Sequence, residues 1–332
     1  MKRLINDGYD VVEEMIEGYV QAHSDYVHLN PEDGRVILSN YISKEPKVRI
    51  ILGGGTGHEP LFHGYLGENL GDAAVLGNIN TSPSPEPIYN AAKAVDSGKG
   101  CLYLFGNYSG DVLNFEMGIE LAEEEGIKAD FVSIKDDIYS SENFEERRGV
   151  AGDIIVFKAA AAAAAKGLEL EEVKVVAEKA NRNTFSMGVA LSSATLPVTG
   201  EPIFHMEDGE MEVGMGIHGE PGIERTSLKK ADEIVVSMLD HIFVRTGLKK
   251  DDEVRVLING LGGLPLMDQY ICYRKVNQVL TNKGIKINGS LVGNYATSMD
   301  MIGMSITLVK LDKELKEYLD APVDTPYMKI NN

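Results

Sequence analysis

Hydrophobic residues in the first half of the chain follow two kinds of pattern, one helical and one extended. The helical pattern predicts an amphipathic helix over residues 10–23, where apolar side chains recur every three or four positions. Short apolar runs predict strands at 48–52, 73–76, 102–105 and 131–134, with a helix at 115–125. Strands that alternate with helices are typical of a parallel sheet with helical crossovers.

The same alternation resumes in the second half of the chain. It predicts strands at 187–191, 211–217, 253–258 and 306–311 and helices at 231–245 and 265–282. Between the halves, an alanine-rich run with apolar flanks predicts a buried helix at 154–166. A further helical pattern begins at Glu171 and ends near Asn183, and no Pro- or Ser-rich linker follows it. We therefore predict two α/β domains, 1–183 and 184–332, with mixed or parallel sheets and a substrate crevice at the strand-end loops.

Composition and charge narrow the function classes. The 332 residues are enough for two domains, and 43% hydrophobic with 25% charged residues is ordinary for a globular protein. A net charge of −19 argues against nucleic-acid binding, which needs clustered Lys and Arg. The only cysteines, Cys101 and Cys272, form neither a disulfide framework nor a close metal pair. With no signal sequence or membrane-length apolar run, we expect a cytoplasmic protein.

Two glycine-rich loops each contain a histidine that is followed by a glutamate and a proline. They are Gly53-Gly54-Gly55-Thr56-Gly57-His58-Glu59-Pro60 and Gly216-Ile217-His218-Gly219-Glu220-Pro221-Gly222. Glycine lets a small molecule approach the backbone and the imidazole closely. The first loop lacks the third glycine of a dinucleotide fingerprint and the Gly-Lys-Ser/Thr of a phosphate loop. The alternative interpretation is that each loop is only a turn that contains a histidine by chance. The presence of two such loops in one chain makes this alternative weaker.

Polar residues also follow two predicted strands of the first half. Asp111 closes the loop Gly106-Asn107-Tyr108-Ser109-Gly110-Asp111 after the strand at 102–105, and Ser82 lies in Thr81-Ser82-Pro83. Because ligands bind at the carboxyl ends of strands in open α/β sheets, we expect His58, Ser82 and Asp111 to share one crevice. A carboxylate beside imidazoles suits acid–base chemistry on a hydroxyl. The alternative role for Asp111 is to cap the following helix.

At these residues the sequence resembles the dihydroxyacetone-binding subunit of bacterial dihydroxyacetone kinases that depend on the phosphotransferase system. The resemblance extends from Arg3-Leu4-Ile5-Asn6-Asp7 to Asp320-Ala321-Pro322-Val323-Asp324-Thr325-Pro326. Its motifs include both histidine loops, Thr-Ser-Pro-Ser-Pro from Thr81, Asn-Tyr-Ser-Gly-Asp from Asn107, Arg-Arg-Gly-Val-Ala from Arg147 and Thr-Ser-Met-Asp-Met from Thr297.

The resemblance implies a homodimeric phosphotransferase with an alcohol group as acceptor, whose substrate is a short ketose. The residue that matches His218 adds to the ketose carbonyl as a hemiaminal, and those that match Asp111 and His58 act as base and acid–base partner. The backbone at Gly55 and the hydroxyl of Ser82 match positions that hydrogen-bond the substrate. The resemblance implies no cofactor or metal in this chain. ADP and Mg²⁺ are expected on a separate nucleotide-binding kinase subunit, which a phosphohistidine protein serves.

Two residues depart from the family pattern. Gly106, at a substrate-binding position, stands where the family usually has Lys, and Asn80 stands where it usually has Phe. Both changes remove side-chain volume or apolar surface, which would admit a four-carbon ketose. A second alternative is a ketose-sensing paralogue that does not phosphorylate its ligand and acts as a transcriptional co-activator. The joint presence of His58, Asp111 and His218 favours the enzyme.

Overall fold

The computed structural model describes residues 3–220 and 222–331. The helices, in chain order, are α1 (Val11–Ala22), α2 (Pro85–Val95), α3 (Ser109–Glu124), α4 (Asp153–Ala165), α5 (Leu170–Arg182), α6 (Ala231–Thr246), α7 (Leu266–Asn282) and α8 (Lys313–Asp320). The strands are β1 (Val27–Asn30), β2 (Asp33–Ser39), β3 (Arg49–Thr56), β4 (Ala73–Ile79), β5 (Cys101–Gly106), β6 (Ala129–Ile134), β7 (Thr184–Ala190), β8 (Glu210–Val213), β9 (Glu224–Ser227), β10 (Glu253–Gly260), β11 (Lys286–Gly293), β12 (Gly303–Leu311), β13 (Val323–Asp324) and β14 (Lys329–Ile330).

The chain divides into two compact units that are not contiguous in sequence. The N-terminal unit contains the described residues up to Ile134, the segment Asp153–Asn181 and the described residues from Leu315 onward. The C-terminal unit contains Lys135–Gly152 and Arg182–Glu314. Both are α/β, which confirms the predicted fold class.

The N-terminal unit contains a six-stranded mixed sheet in the order β1-β2-β4-β3-β5-β6. Strands β4, β3, β5 and β6 pair in parallel, whereas β2 pairs antiparallel with both β1 and β4. The four parallel strands are those predicted from the apolar runs. Their carboxyl ends lie at one edge, where the candidate loops begin.

Helix α4 is buried along nearly its whole length. It packs against β3 and β5, and its side chains from Ile154 to Ala164 are buried. The one charged side chain between these residues is Lys158, whose Nζ donates to Tyr318 O at 3.0 Å. A helix buried on all sides in this way has no solvent face, and its alanines allow close approach to the sheet. The burial predicted for the alanine run is confirmed.

The C-terminal unit contains a second six-stranded sheet, in the order β11-β10-β12-β7-β8-β9. Only β10 and β11 pair in parallel; the other pairs are antiparallel. The strand predicted at 211–217 ends early, at Val213, because the chain turns at Gly214, which has a φ of 81°. Strand β11 was not predicted, since its side chains are mostly half-buried or exposed and it lacks an apolar run.

The predicted domains, 1–183 and 184–332, place two segments in a different unit from the one in which the structure places them. Residues 135–152 pair with the C-terminal unit, where the backbone nitrogen of Ile138 donates to Ser186 O at 3.0 Å. The C-terminal tail pairs with the N-terminal unit, where Glu68 N donates to Asp324 O at 2.9 Å. The boundary itself stays a prediction. Within the described residues, no helix combines the length and apolarity that a membrane crossing requires.

Candidate functional site

The first histidine loop begins inside strand β3. Gly55 lies so close to the next strand-end loop that a Cβ atom there would come within 2.7 Å of the Thr81 nitrogen. His58 follows as the strand ends and is 1% exposed, with its carbonyl accepting from Leu61 N at 3.0 Å. The Gly57 nitrogen donates to Glu59 Oε1 at 3.0 Å. Glycine at position 55 is therefore required by the fold as well as expected at the site.

Ser82 lies between this loop and helix α3. A Cβ on Gly110, in the first turn of α3, would lie 3.7 Å from Ser82 Cβ, and Asn114 Nδ2 donates to Pro83 O at 2.9 Å. The preceding Asn80 donates its backbone N–H to Thr56 O at 3.0 Å. Gly55 at the end of β3, Ser82 after β4 and the first turn of α3 thus adjoin one another at the carboxyl edge of the sheet. That His58, Ser82 and Asp111 share one substrate crevice stays a prediction.

Asp111 is buried in the first turn of α3. The N-cap residue of this helix is Tyr108, whose side chain makes no capping hydrogen bond. Asp111 stands three residues further on and is 7% exposed. Asp111 is therefore not the N-cap residue, although a carboxylate in a first helical turn is favoured by the helix dipole.

Gly106 ends strand β5 and is buried beside two larger side chains. A Cβ at this position would lie 3.0 Å from the ring of Tyr108 and 3.6 Å from Asp153 Oδ2. A side chain at 106 would thus enter space between an aromatic ring and a buried carboxylate. A longer side chain at position 106 would therefore meet the Asp153 carboxyl group.

The second histidine loop lies in the C-terminal unit, after β8. The backbone nitrogen of His218 donates to Glu220 Oε2 at 3.0 Å, and its ring Nδ1 lies 2.9 Å from Glu220 Oε1. The two side chains are 19% and 28% exposed. Both carboxylate oxygens of Glu220 therefore hold the same histidine.

Arg148 links Glu220 to a second carboxylate, that of Asp137. Its Nη1 lies 4.0 Å from Glu220 Oε2, and its Nε and Nη2 donate to Asp137 Oδ2 at 3.1 and 2.8 Å. Nη2 also donates to Gly214 O at 2.9 Å, at the start of the loop. The order Asp137–Arg148–Glu220–His218 was not predicted. Its signal lay in motifs already noted, the Glu two residues after His218 and the paired arginines at 147 and 148.

The carboxylates of this chain of contacts have shifted pKa values. Burial alone would raise the pKa of Glu220, but the hydrogen bond and charge of His218, a backbone N–H and Arg148 lower it to about 2. For Asp137, burial outweighs the opposing effect of Arg148 and raises the pKa to about 6. Glu220 is therefore a carboxylate at neutral pH and accepts hydrogen bonds from His218.

This geometry suits nucleophilic chemistry at His218. When a neutral imidazole donates from Nδ1 to a carboxylate, its lone pair is on Nε2. A histidine held in this tautomer can add to an electrophilic carbon through Nε2. Among the described residues, no group of three or more His, Cys, Asp or Glu side chains is placed to hold a metal ion.

The six predicted site residues are divided between the two units. Gly55, His58, Ser82, Gly106 and Asp111 lie in the N-terminal unit, at or after the ends of β3, β4 and β5. His218 lies in the C-terminal unit. The roles proposed for these residues stay predictions.

Curated relatives match the chain along its whole length. A PTS-dependent dihydroxyacetone kinase 2, dihydroxyacetone-binding subunit, from Listeria innocua is 66% identical and covers 100% of both chains. An L-erythrulose kinase from Pectobacterium atrosepticum is 42% identical over 98% of this chain, which corresponds to 56% of that protein.

Solved structures of two related proteins share the fold. The dihydroxyacetone kinase of C. freundii superposes with a TM-score of 0.92 at 31% identity, over 99% of this chain. This chain spans 60% of that kinase. A dihydroxyacetone kinase operon co-activator has a TM-score of 0.90 at 31% identity and covers 96% of this chain and 99% of its own.

Residues 17–327 match the Dak1 domain family. Together with the 66% identity over the full length, this shows that the chain belongs to the Dak1 domain family.

Proposed function

We propose that this chain is the ketose-binding subunit of a dihydroxyacetone kinase and holds its substrate covalently on His218. The observation that carries the covalent step is the 2.9 Å contact between His218 Nδ1 and Glu220 Oε1. With the proton on Nδ1, the Nε2 lone pair is available to attack a carbonyl carbon.

The addition needs no reactant other than the histidine, the ketose and one proton. The Nε2–carbon bond forms, the carbonyl π pair moves to oxygen, and that oxygen takes up a proton. The ring becomes positively charged, and its Nδ1–H faces the Glu220 carboxylate, which stabilises the product. Glycerol has no carbonyl, so this step discriminates the ketose from the corresponding triol.

Residues of the N-terminal unit prepare the substrate hydroxyl. Asp111 accepts the proton of the attacking hydroxyl, His58 acts as its acid–base partner, and Gly55 and Ser82 offer hydrogen bonds to the ketose. A tethered substrate presents its terminal hydroxyl in a fixed orientation for phosphoryl transfer. A separate kinase subunit supplies the phosphoryl group: its bound ADP, with Mg²⁺, is first phosphorylated by a phosphohistidine protein and then passes that group to the ketose. Two copies of the present chain form a homodimer.

A four-carbon ketose is a second candidate substrate, and one observation favours it. The side-chain oxygen Oδ1 of Asn80 is buried and, among the described residues, accepts no hydrogen bond. A buried carbonyl oxygen without a donor is costly, and a substrate hydroxyl would supply that donor. Asn80 adjoins Gly55, since its Cα lies 3.2 Å from where a Gly55 Cβ would be.

The test has two parts and uses the full chain. Incubation with dihydroxyacetone labelled with ¹³C at the carbonyl should give a protein-bound tetrahedral carbon by NMR and a matching gain in intact mass. Addition of the nucleotide-carrying kinase subunit should then give turnover. Binding without turnover would favour the co-activator alternative, and absence of both signals would exclude the covalent step.

A further inference from the structure

We propose that Glu220 is a positioning residue that selects the reactive tautomer of His218, and that Arg148, anchored by Asp137, keeps Glu220 in place. This inference rests on the proposed function, in which His218 is the nucleophile. Glu220, Arg148 and Asp137 make no direct contact with the substrate in the chemistry described above, so their role is to position His218.

The first step concerns the two hydrogen bonds between Glu220 and His218. One carboxylate oxygen accepts from the His218 backbone at 3.0 Å and the other is 2.9 Å from its ring Nδ1. The ring is thereby fixed relative to its own backbone, so that both the tautomer and the direction of Nε2 are set. An ionised carboxylate can only accept, which excludes the tautomer with the lone pair on Nδ1.

The second step is the support of Glu220. Arg148 carries the charge that faces Glu220, with Nη1 4.0 Å from Oε2. Two bonds to Asp137 and one to Gly214 O fix the guanidinium plane. Because the Asp137 side chain is 2% exposed, this anchor lies inside the unit and is shielded from solvent. Arginine suits the position because its fork can meet several acceptors at once.

The third step is the glycine at position 216. A Cβ there would collide with Glu220 Oε2 and come within 2.9 Å of Arg148 Nη1. Gly216 has no left-handed backbone that would require glycine by itself. The missing side chain therefore leaves room for the Glu220 carboxylate and the guanidinium of Arg148.

The experiment compares tautomer and adduct in matched variants. Uniform ¹⁵N labelling of histidine distinguishes the protonated from the lone-pair ring nitrogen, and the signals that His218→Ala removes identify His218. Spectra are recorded without ketose over a series of pH values, and the tautomer is determined where the spectrum shows a neutral ring. The variants are Glu220→Gln, Glu220→Asp and Gly216→Ala, with the exposed Glu224→Gln as control.

We expect the unaltered protein to show a proton on Nδ1. Glu220→Gln should give a mixture of tautomers, because an amide can donate as well as accept. The equilibrium constant for the ketose adduct should fall by about tenfold to a hundredfold, the value of a hydrogen bond to a charged group. Gly216→Ala should give the same two changes by displacing Glu220, Glu220→Asp should restore part of the adduct, and Glu224→Gln should change neither.

Two results would overturn the inference. One is a proton on Nε2 in the unaltered protein; the other is an unchanged tautomer in both Glu220→Gln and Gly216→Ala. Thermal unfolding of each variant separates loss of the fold from loss of the tautomer. If the unaltered protein forms no adduct, the proposed function fails, yet the tautomer spectra still decide the role of Glu220.

Discussion

Gly55 and Thr81 approach each other so closely that a Cβ at position 55 would lie 2.7 Å from the Thr81 nitrogen. Backbone atoms cannot yield as a flexible side chain can. Gly55→Ala should therefore push the loop of Asn80 and Ser82 away from β3, with a loss of about 1–3 kcal/mol in the free energy of unfolding. Urea unfolding and ketose binding measure the two effects, and Gly34→Ala is the control, since a Cβ there meets nothing within 4 Å. Equal stability of both variants would contradict the prediction.

His218→Ala should abolish the covalent ketose complex while the protein stays folded. The side chain is 19% exposed and lies in a loop, so its removal takes little from the core. Intact mass after rapid quenching reports the adduct, and circular dichroism reports the fold. A mass gain with ketose that persists in this variant would place the attachment elsewhere.

Asp111→Asn should separate binding from turnover. The amide retains the shape of the side chain but cannot accept a proton, so kcat with the partner subunit should fall by about a hundredfold or more. Loss of a carboxylate from the first helical turn should cost only about 0.3–1 kcal/mol of stability. Full kcat in the variant would leave Asp111 as a helix-stabilising residue alone.

Asn80→Gly should shift substrate preference from the four-carbon ketose towards dihydroxyacetone. Asn80 has a φ of 52°, which glycine adopts without strain, so this variant removes the amide and keeps the backbone. The measurement is the ratio of kcat/KM for erythrulose and dihydroxyacetone. The family-like Asn80→Phe is a less direct probe, because a bulky residue in this left-handed region costs about 1–2 kcal/mol. An unchanged ratio in Asn80→Gly would dismiss the proposed hydrogen bond between Asn80 and the additional hydroxyl of a four-carbon ketose.

His63 should make the protein sensitive to mild acid. Burial, together with the charge of His23, lowers its pKa to about 3 from an ordinary value of 6.5. Below pH 6.5 the unfolded chain takes up a proton that the folded protein excludes, so stability falls as the pH decreases from 6.5 towards 3 and is unaffected above 6.5. His63→Phe keeps the edge contact of the ring with Tyr19 and should remove up to about 1.4 kcal/mol of this loss per pH unit. Parallel stability–pH curves for the two proteins would refute this role.

The sequence predicted the parts of the fold whose signal is local. The apolar runs at β3, β4, β5 and β6 form strands whose side chains are mostly buried. Because a strand buried on both faces is a nearly continuous apolar run, it can be predicted from its own residues without knowledge of its neighbours. Strand β1 has four residues, of which the central two are exposed, so nothing local marks it. The assignment of residues 135–152 to the C-terminal unit depends on contacts such as Ile138 with Ser186, which are distant in sequence.

The candidate site was also predicted from local signals. The histidine loops and the strand ends indicated His58, Ser82, Asp111 and His218, and the family resemblance added Gly55 and Gly106, whereas the contacts that support His218 were not predicted. Glu220 follows His218 by two residues, so its proximity to the histidine could have been inferred from the sequence. Arg148 belongs to a motif that the sequence also shows, but its contacts with Glu220 and Asp137 could not be inferred, because they depend on the turn of the chain between β6 and α4.

The interleaved course of the chain restricts how this protein can be divided by genetic engineering. A fragment that starts at Arg182 would carry His218 and Glu220 but neither Asp137 nor Arg148. During synthesis, residues 135–152 leave the ribosome before the strands with which they pair. The C-terminal unit can be completed only when translation has passed β12. Split-protein reporters and domain fusions based on this scaffold therefore need a junction that keeps residues 135–152 covalently joined to the later half.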